Sequence, residues 1–282
     1  MTSTGKLLDA RHAREAFHLI LLDELGGRLS HEHWVLKGGV NLRAFFQSIR
    51  FSEDIDIDAV LLKRQAIRKH LREILKSETF LRRIRSVGIQ NLLVGDKEIS
   101  KDSETTLRFN RGVIVGGVPH STTVEVSFRV PDARDRSETA AVDSSFCETY
   151  LGPGTSVQAP HYVRLSALAQ KLDALANRAA VQARDVFDIC WLTRVALDRD
   201  DRQWVAMRLG ADLLQKARER AMEIEYQEYR DTVLDYLDPA ESASYAGEDA
   251  WIEQQLRVVT FADELLALIG SGEIAPDVDT QG

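Results

Sequence analysis

The stretch LKGGVNLRAFFQSIRFSEDIDIDAV (residues 36–60) decides how the chain is read. A Gly-Gly step, Gly38-Gly39, is followed by a string in which Asp54, Asp56 and Asp58 alternate with Ile55 and Ile57. Strict alternation predicts a strand. Successive side chains of a strand point to opposite faces, so the three aspartates share one face, about 6.6–6.8 Å apart at every second residue. Asp is a poor strand former, and crowded carboxylates repel one another. The arrangement makes sense where a cation sits between them. Asp58 is expected past that place, as a solvated residue at the strand end. The glycines remove Cβ atoms, so backbone can approach a phosphate closely. A helix starting near Asn41 would aim its first N–H groups at the same anion.

Outward from this stretch, residues 6–29 carry apolar residues at helical spacing and predict a helix closed by Gly26-Gly27. HWVLKGG reads as a short strand running into a turn, VNLRAFFQSI as a helix, and residues 63–85 as a basic helix or helix pair. The period then changes to two. IQNLLVG, TLRFNRGVIV and STTVEVSFRV are strand candidates, with VGGVPHS as a hairpin turn. LGPGTSVQAP (151–160), with two Gly and two Pro, is the best linker candidate. Helices are expected over 164–180, 182–197, 202–221, 223–237 and 248–270, with a frayed polar tail. The fold class is therefore α+β. A mixed sheet with helices fills residues 1–155, and a helical domain fills 156–282.

Composition narrows the function. The 282 residues include 28% charged side chains and carry a formal net charge of −8, which argues against coating nucleic acid nonspecifically. The charge is uneven. Residues 61–85 hold nine Lys/Arg against two Glu, a candidate docking surface for a polyanion, while the chain from Asp235 onward holds eleven Asp/Glu against one Arg. No run of about eighteen apolar residues reads as a membrane span, and the start lacks the order of a signal peptide. Cys147 and Cys190 show neither metal-ligand nor disulfide spacing and read as reduced core thiols of a cytoplasmic protein.

In order, the elements are a strand, a Gly-Gly turn, a helix, an Asp-x-Asp strand and a later strand with an acid between valines, Val124-Glu125-Val126. This order resembles the nucleotidyltransferase superfamily of DNA polymerase β. LKGGVNLR followed by RFSEDIDID is similar, more narrowly, to the abortive-infection toxin nucleotidyltransferases of the AbiEii type, the toxin halves of bacterial toxin–antitoxin pairs. QKLDALANRAAVQARDVFDICWL carries the later block of that family, with Lys171, Arg178, Arg184, Asp185 and Asp188. The resemblance spans roughly residues 30 to 195. One departure is Val40, where many members have Ser or Thr after the glycines.

The resemblance implies transfer of a nucleoside monophosphate from an NTP. Mg²⁺ is hard and takes carboxylate and phosphate oxygens, and two divalent ions can stabilise both the attacking and the leaving oxygens. Asp54, Asp56 and Glu125 are the metal carboxylates it implies, with Lys171 and Asp188 completing the catalytic set. Lys37, Gly38, Gly39, Arg50, Ser52, Lys171 and Asp185 are candidates for binding the nucleotide. The resemblance favours Asp188 over Asp185 for the site. A straight-helix count from Lys171 favours Asp185, unless NRAAVQAR contains a break. The implied acceptor is an RNA, with the tRNA 3′ end as the best guess, and a cognate antitoxin is the implied partner. Two other readings stand beside it: nucleotidylation of a protein hydroxyl or of a small molecule such as an aminoglycoside, and a degenerate binding module. The last predicts loss of the carboxylates, and all three are present.

Overall fold

The computed structural model describes residues 9–271. The expected frayed tail and the first residues of the 6–29 helix lie outside them. The chain divides into two compact units. The first holds the chain up to Gln47 together with Phe51–Tyr162, and the second holds Ser48–Arg50 and the chain from Val163 onward.

In the first unit, α1 (Ala10–Gly26) leads through a short 3₁₀ turn into β1 (Trp34–Lys37), α2 (Gly38–Phe46) and β2 (Asp54–Ala59). Next come α3 (Arg64–Lys76), α4 (Glu78–Ser86), β3 (Asn91–Ser103), β4 (Thr106–Val115) and β5 (Val118–Ser127). The unit closes with β6 (Ser137–Ala141), α5 (Ser144–Leu151) and β7 (Gln158–Tyr162). All seven strands form one sheet in the order β3-β4-β5-β2-β1-β7-β6. It is mixed: β2 runs parallel to β5 and β1 parallel to β7, while the other pairs are antiparallel. This is the α+β architecture expected from the sequence.

One face of the sheet is apolar. Ile55, Ile57, Val124, Val126, Leu107 and Phe109 are fully buried, in one cluster with Phe17, Leu21, Leu71 and Phe80 of the covering helices. α1 is pinned there by polar contacts as well: His18 Nε2 lies 3.0 Å from the Thr122 hydroxyl, which donates to the Glu53 carbonyl. Because side chains alternate, burying Ile55 and Ile57 turns Asp54, Asp56 and Asp58 together to the other face.

Three strand readings differ from the structure. β3 runs eight residues beyond the expected IQNLLVG, as a polar edge strand with register shifts around Ile99. Lysines and bulges on an edge strand discourage further pairing, and they also hide it from a hydrophobic pattern. β6 reads SETAA and was not expected for the same reason. The last residues of LGPGTSVQAP are not linker. They open β7, whose Ala159–Tyr162 are buried between β1 and β6.

The second unit is helical: α6 (Arg164–Asn177), α7 (Ala183–Leu192), α8 (Arg199–Leu209), α9 (Ala211–Ala221), α10 (Tyr226–Thr232) and α11 (Glu248–Gly270). The expected single helix over 202–221 is two, because Gly210 takes φ +76° and breaks it. α11 packs on α7, α8 and α9. Its Trp251 stacks on Tyr229 at 4.3 Å and donates to the Ile224 carbonyl. Ser48–Arg50 joins this unit through an isolated bridge from Arg50 to Leu237 and a bond from Asp238 N–H to the Ile49 carbonyl.

Candidate active site

The strand registers assemble one lateral row of charge. Lys37 of β1 lies opposite Asp56 of β2, Asp56 opposite Glu125 of β5, and Glu125 opposite Arg108 of β4. Residues paired across strands project to the same face, so two acids stand side by side with a cation at each end. Asp54 and Asp58 flank Asp56 on the same face. Asp54 and Asp56 are half-buried. Asp54 Oδ1 accepts from the Thr123 N–H at 3.1 Å. Arg108 Nε donates to Glu125 Oε2 at 2.7 Å, and its Nη2 bonds the same oxygen.

The glycine turn is built against this row. α2 starts at Gly38 itself rather than near Asn41, with Lys37 as its N-cap. Gly38 takes φ +70°, and a Cβ there would lie 2.3 Å from Asp56 Oδ2. This backbone favours glycine, and the missing Cβ lets the Asp56 carboxylate rest on the turn. Val40 is in the core. The Asn41 amide donates to the Tyr162 carbonyl, and its Oδ1 meets His161 Nδ1, so it does not present a side chain at the turn. Ser52 donates to the Asp54 carbonyl at 2.9 Å and fixes the start of β2.

Asp58 corrects its expectation. It is 6% exposed rather than solvated. Its Oδ1 bonds the Lys37 ammonium, and its Oδ2 accepts from the Tyr162 hydroxyl at 2.8 Å. Lys37, expected to bind nucleotide, thus has a carboxylate partner. Neither Tyr162 nor Arg108 was singled out from the sequence. Arg108 could have been found as the residue facing Glu125 across the predicted hairpin, whereas Tyr162 lay just beyond the supposed linker.

The second unit gathers the later block. Lys171 Nζ lies 3.1 Å from Asp185 Oδ1 and 2.7 Å from Asp188 Oδ2. Arg50 grips Asp188 with two bonds, at 3.0 and 2.8 Å, and Arg178 lies 2.8 Å from Asp185 Oδ2. Both aspartates are fully buried. Burial pushes the Asp188 carboxyl up, but Arg50 and then Lys171 pull it down harder, to about 2. Arg50, expected as a cation for the triphosphate, is engaged here instead. NRAAVQAR does contain a break, since α6 ends at Asn177 and α7 starts at Ala183. Both acids therefore reach Lys171. Arg184 turns to Gln182 instead.

The basic segment is largely neutralised. Arg64 and Arg68 pair with Asp102, Arg72 and Lys76 with Glu98, Arg83 with Asp23 and Glu24, Arg85 with Glu78, and Lys69 with Glu73. Cys147 and Cys190 are buried free thiols, and burial raises Cys190 to about 12, so neither is a reactive thiolate. No helix among the described residues is long and apolar enough to cross a membrane.

The donors suit a hard divalent ion. Asp54 and Asp56 offer carboxylate oxygens on one face, next to the Gly38 turn. No three carboxylate, His or Cys side chains converge on one point among the described residues. Mg²⁺ does not require such a cage, because one or two carboxylates together with substrate phosphates commonly hold it.

A mixed sheet with a glycine turn against an Asp-x-Asp strand and an acid on the neighbouring strand defines a nucleotidyltransferase. The chain belongs to the nucleotidyl transferase AbiEii toxin family of type IV toxin–antitoxin systems, which it matches over residues 20–262. Family membership implies an NTP substrate and an antitoxin counterpart. Two solved structures from Helicobacter pylori share the fold. JHP933 is 18% identical with a TM-score of 0.53, and 95% of this chain covers 97% of that one. A candidate nucleotidyltransferase is 18% identical with a TM-score of 0.52, and 93% of this chain covers 96% of that one. No curated protein matches the chain.

Proposed function

We propose that this toxin is a Mg²⁺-dependent enzyme of the cytoplasm that transfers NMP from an NTP to an RNA, the 3′-terminal hydroxyl of a tRNA, with pyrophosphate as the leaving group. The observation that supports this most is the register. Asp54 and Asp56 share one strand face, Glu125 is the lateral partner of Asp56, and the Gly38 turn lies against Asp56.

Asp54 and Asp56 would hold the metal, with Glu125 joining once Arg108 releases it. When bound, the ion supplies charge neutralisation on the triphosphate and lowers the proton affinity of an acceptor hydroxyl. The chain's own groups do the rest. The N–H groups at the start of α2 bind phosphate oxygens. Lys37 and Ser52 fix the turn and the strand that carry them. Asp56 or Glu125 accepts the proton of the attacking hydroxyl. We assign Lys171 to the triphosphate as a point charge, with Asp185 and Asp188 as its orienting carboxylates and Arg50 holding Asp188. In this reading residues 1–155 form the nucleotidyltransferase core, and residues 156–282 form the helical domain that carries Lys171.

The test is incorporation of each α-labelled NTP into total bacterial RNA with Mg²⁺, with Asp56→Ala run alongside. Label in a tRNA-sized band with wild type alone supports the proposal. Label in a protein or small-molecule fraction instead moves the acceptor to a protein hydroxyl or a compound such as an aminoglycoside. The pairing of Arg64 and Arg72 with acids of this chain predicts that Arg64→Ala and Arg72→Ala leave RNA affinity unchanged.

A further inference from the structure

Lys37 has two carboxylates within reach. Its lateral partner across the β1–β2 pair is Asp56, and opposite charges directly across antiparallel strands ordinarily pair. Its ammonium instead bonds Asp58, the lateral partner of Val35 two residues further along β2. Asp58 wins because its carboxylate is held in place. It is buried, and the hydroxyl of Tyr162, a residue 2% exposed, donates to its other oxygen. An ion pair in such a site is screened far less than one in water.

We propose that Asp58, fixed by Tyr162, is a positioning residue that keeps the Lys37 ammonium off Asp56 and so leaves the Asp54–Asp56 pair able to take a divalent cation. The proposal rests on reading that pair as the metal carboxylates. Asp58 touches neither metal nor substrate in this scheme. It acts by holding a competing cation. Lys37 is the residue before Gly38 and the N-cap of α2, so its stem stays beside Asp56 whatever its ammonium does. Freed from Asp58, the ammonium has Asp56 as the carboxylate directly opposite it across the strand pair. A cation seated there competes with the metal for the same oxygens. The mutual order of the three aspartates then has a meaning that alternation alone does not supply. Asp54 and Asp56 are half-buried donors, whereas Asp58 is a closed one.

Mn²⁺ binding to the full-length protein, read by electron paramagnetic resonance of the free ion, tests this without any activity assay. Asp58→Asn should weaken Mn²⁺ binding about tenfold, the scale on which residues behind metal ligands act. Adding Lys37→Met to Asp58→Asn should restore most of the affinity, because the competing cation is gone. Tyr162→Phe should weaken binding less than Asp58→Asn, in the same direction. The deficit and its rescue should persist in 1 M KCl, where the Debye length is about 3 Å and only contact effects survive. Wild-type affinity in Asp58→Asn, while Asp54→Asn loses the ion, overturns the proposal and leaves the metal reading intact. So does a double variant no better than Asp58→Asn, since damaged packing is not repaired by deleting a cation, and so does a deficit that vanishes in 1 M KCl. If Asp58→Asn fails to fold, Tyr162→Phe with and without Lys37→Met gives the same comparison. A wild-type protein that binds no Mn²⁺, with Asp54→Asn indistinguishable from it, removes the metal reading and this proposal together.

Discussion

Two arrays of charged side chains, one in each unit, are built on opposite terms. On the strand face of the first, Asp54, Asp56, Asp58 and Glu125 stand against Lys37 and Arg108, four carboxylates to two cations. In the second, Asp185 and Asp188 stand against Arg50, Lys171 and Arg178, two carboxylates to three cations. The first array is anionic and its Asp54 and Asp56 are half-buried. In the second array both acids are fully buried and every charged member has a partner. Excess charge at a partly open surface is what binding a cation would relieve. A closed, alternating chain of ions holds helices in place and, in the proposed reading, fixes the position from which Lys171 acts. Residues of identical chemistry therefore do different work according to burial and balance.

The largest expected effect comes from breaking the closed array. Asp188→Ala strips Arg50 of its bidentate partner and Lys171 of one of its two. Removing one partner of a buried pair leaves uncompensated charge and costs about 3–5 kcal/mol. Urea unfolding should show that loss. A change below about 1 kcal/mol, the usual worth of an exposed pair, would mean that the array is not closed in solution.

Acid separates the two units. His18 is buried, and burial first, then the Arg14 cation, holds its pKa down at about 3 against an ordinary 6.5. The unfolded chain takes up the proton first, so the contribution of His18 is complete above pH 6.5 and is lost as pH falls toward 3. By pH 5 the loss is about 2 kcal/mol. His161, which burial also lowers, acts in the same direction. Asp188, with a pKa of about 2, contributes fully above its unfolded value and loses that contribution only between about pH 3.8 and 2. Stability measured by denaturant at pH 7, 6 and 5 should therefore fall in the wild type and fall less in His18→Gln. Equal slopes would show that His18 takes up its proton over the same pH range in the folded and unfolded chain.

Gly38→Ala comes next. A left-handed backbone costs an L-residue about 1–2 kcal/mol, and the new Cβ would crowd Asp56 Oδ2. Stability should drop by that amount and transfer should fall further, because the displaced carboxylate belongs to the proposed site. A variant with lowered melting temperature but unchanged transfer would separate the turn from the chemistry.

Much of this was legible in the chain. The period of two in DIDID, the Gly-Gly step before it and the acid in TVEVSF placed three strands and a turn, and β4 matches the segment read from its alternation. What was hidden had physical reasons. The second half of β3 and all of β6 are polar edges with no apolar rhythm. β7 opens inside a Pro/Gly-rich stretch whose punctuation outweighs its short buried run. Lys171, Asp185 and Asp188 could be named, but Arg50 reaches Asp188 across 138 residues of sequence, and no local pattern carries that distance. Asp58 departs from its expectation because strand parity is visible in a sequence, whereas the phenol that covers it comes from β7, whose signal is masked by its Pro/Gly-rich surroundings.

The smallest expected effect has the opposite sign and discriminates best. Asp56→Asn removes one charge from an anionic row while keeping the shape of the side chain. Like charges crowded on one face destabilise the folded chain, and like-charge pairs across strands cost a few tenths of a kcal/mol to about 1. Without metal, the variant should melt at the wild-type temperature or slightly above it. Mg²⁺ should raise the melting temperature of wild type, since an ion that binds only the folded state stabilises it by mass action. The same Mg²⁺ should leave Asp56→Asn where it was. Asp188→Ala should instead lose stability with or without Mg²⁺. If Asp56→Asn loses stability as Asp188→Ala does, the strand face is another closed scaffold and the contrast between the two arrays collapses. If Asp56→Asn holds its stability and loses only the response to Mg²⁺, the excess charge of the strand face exists for a ligand.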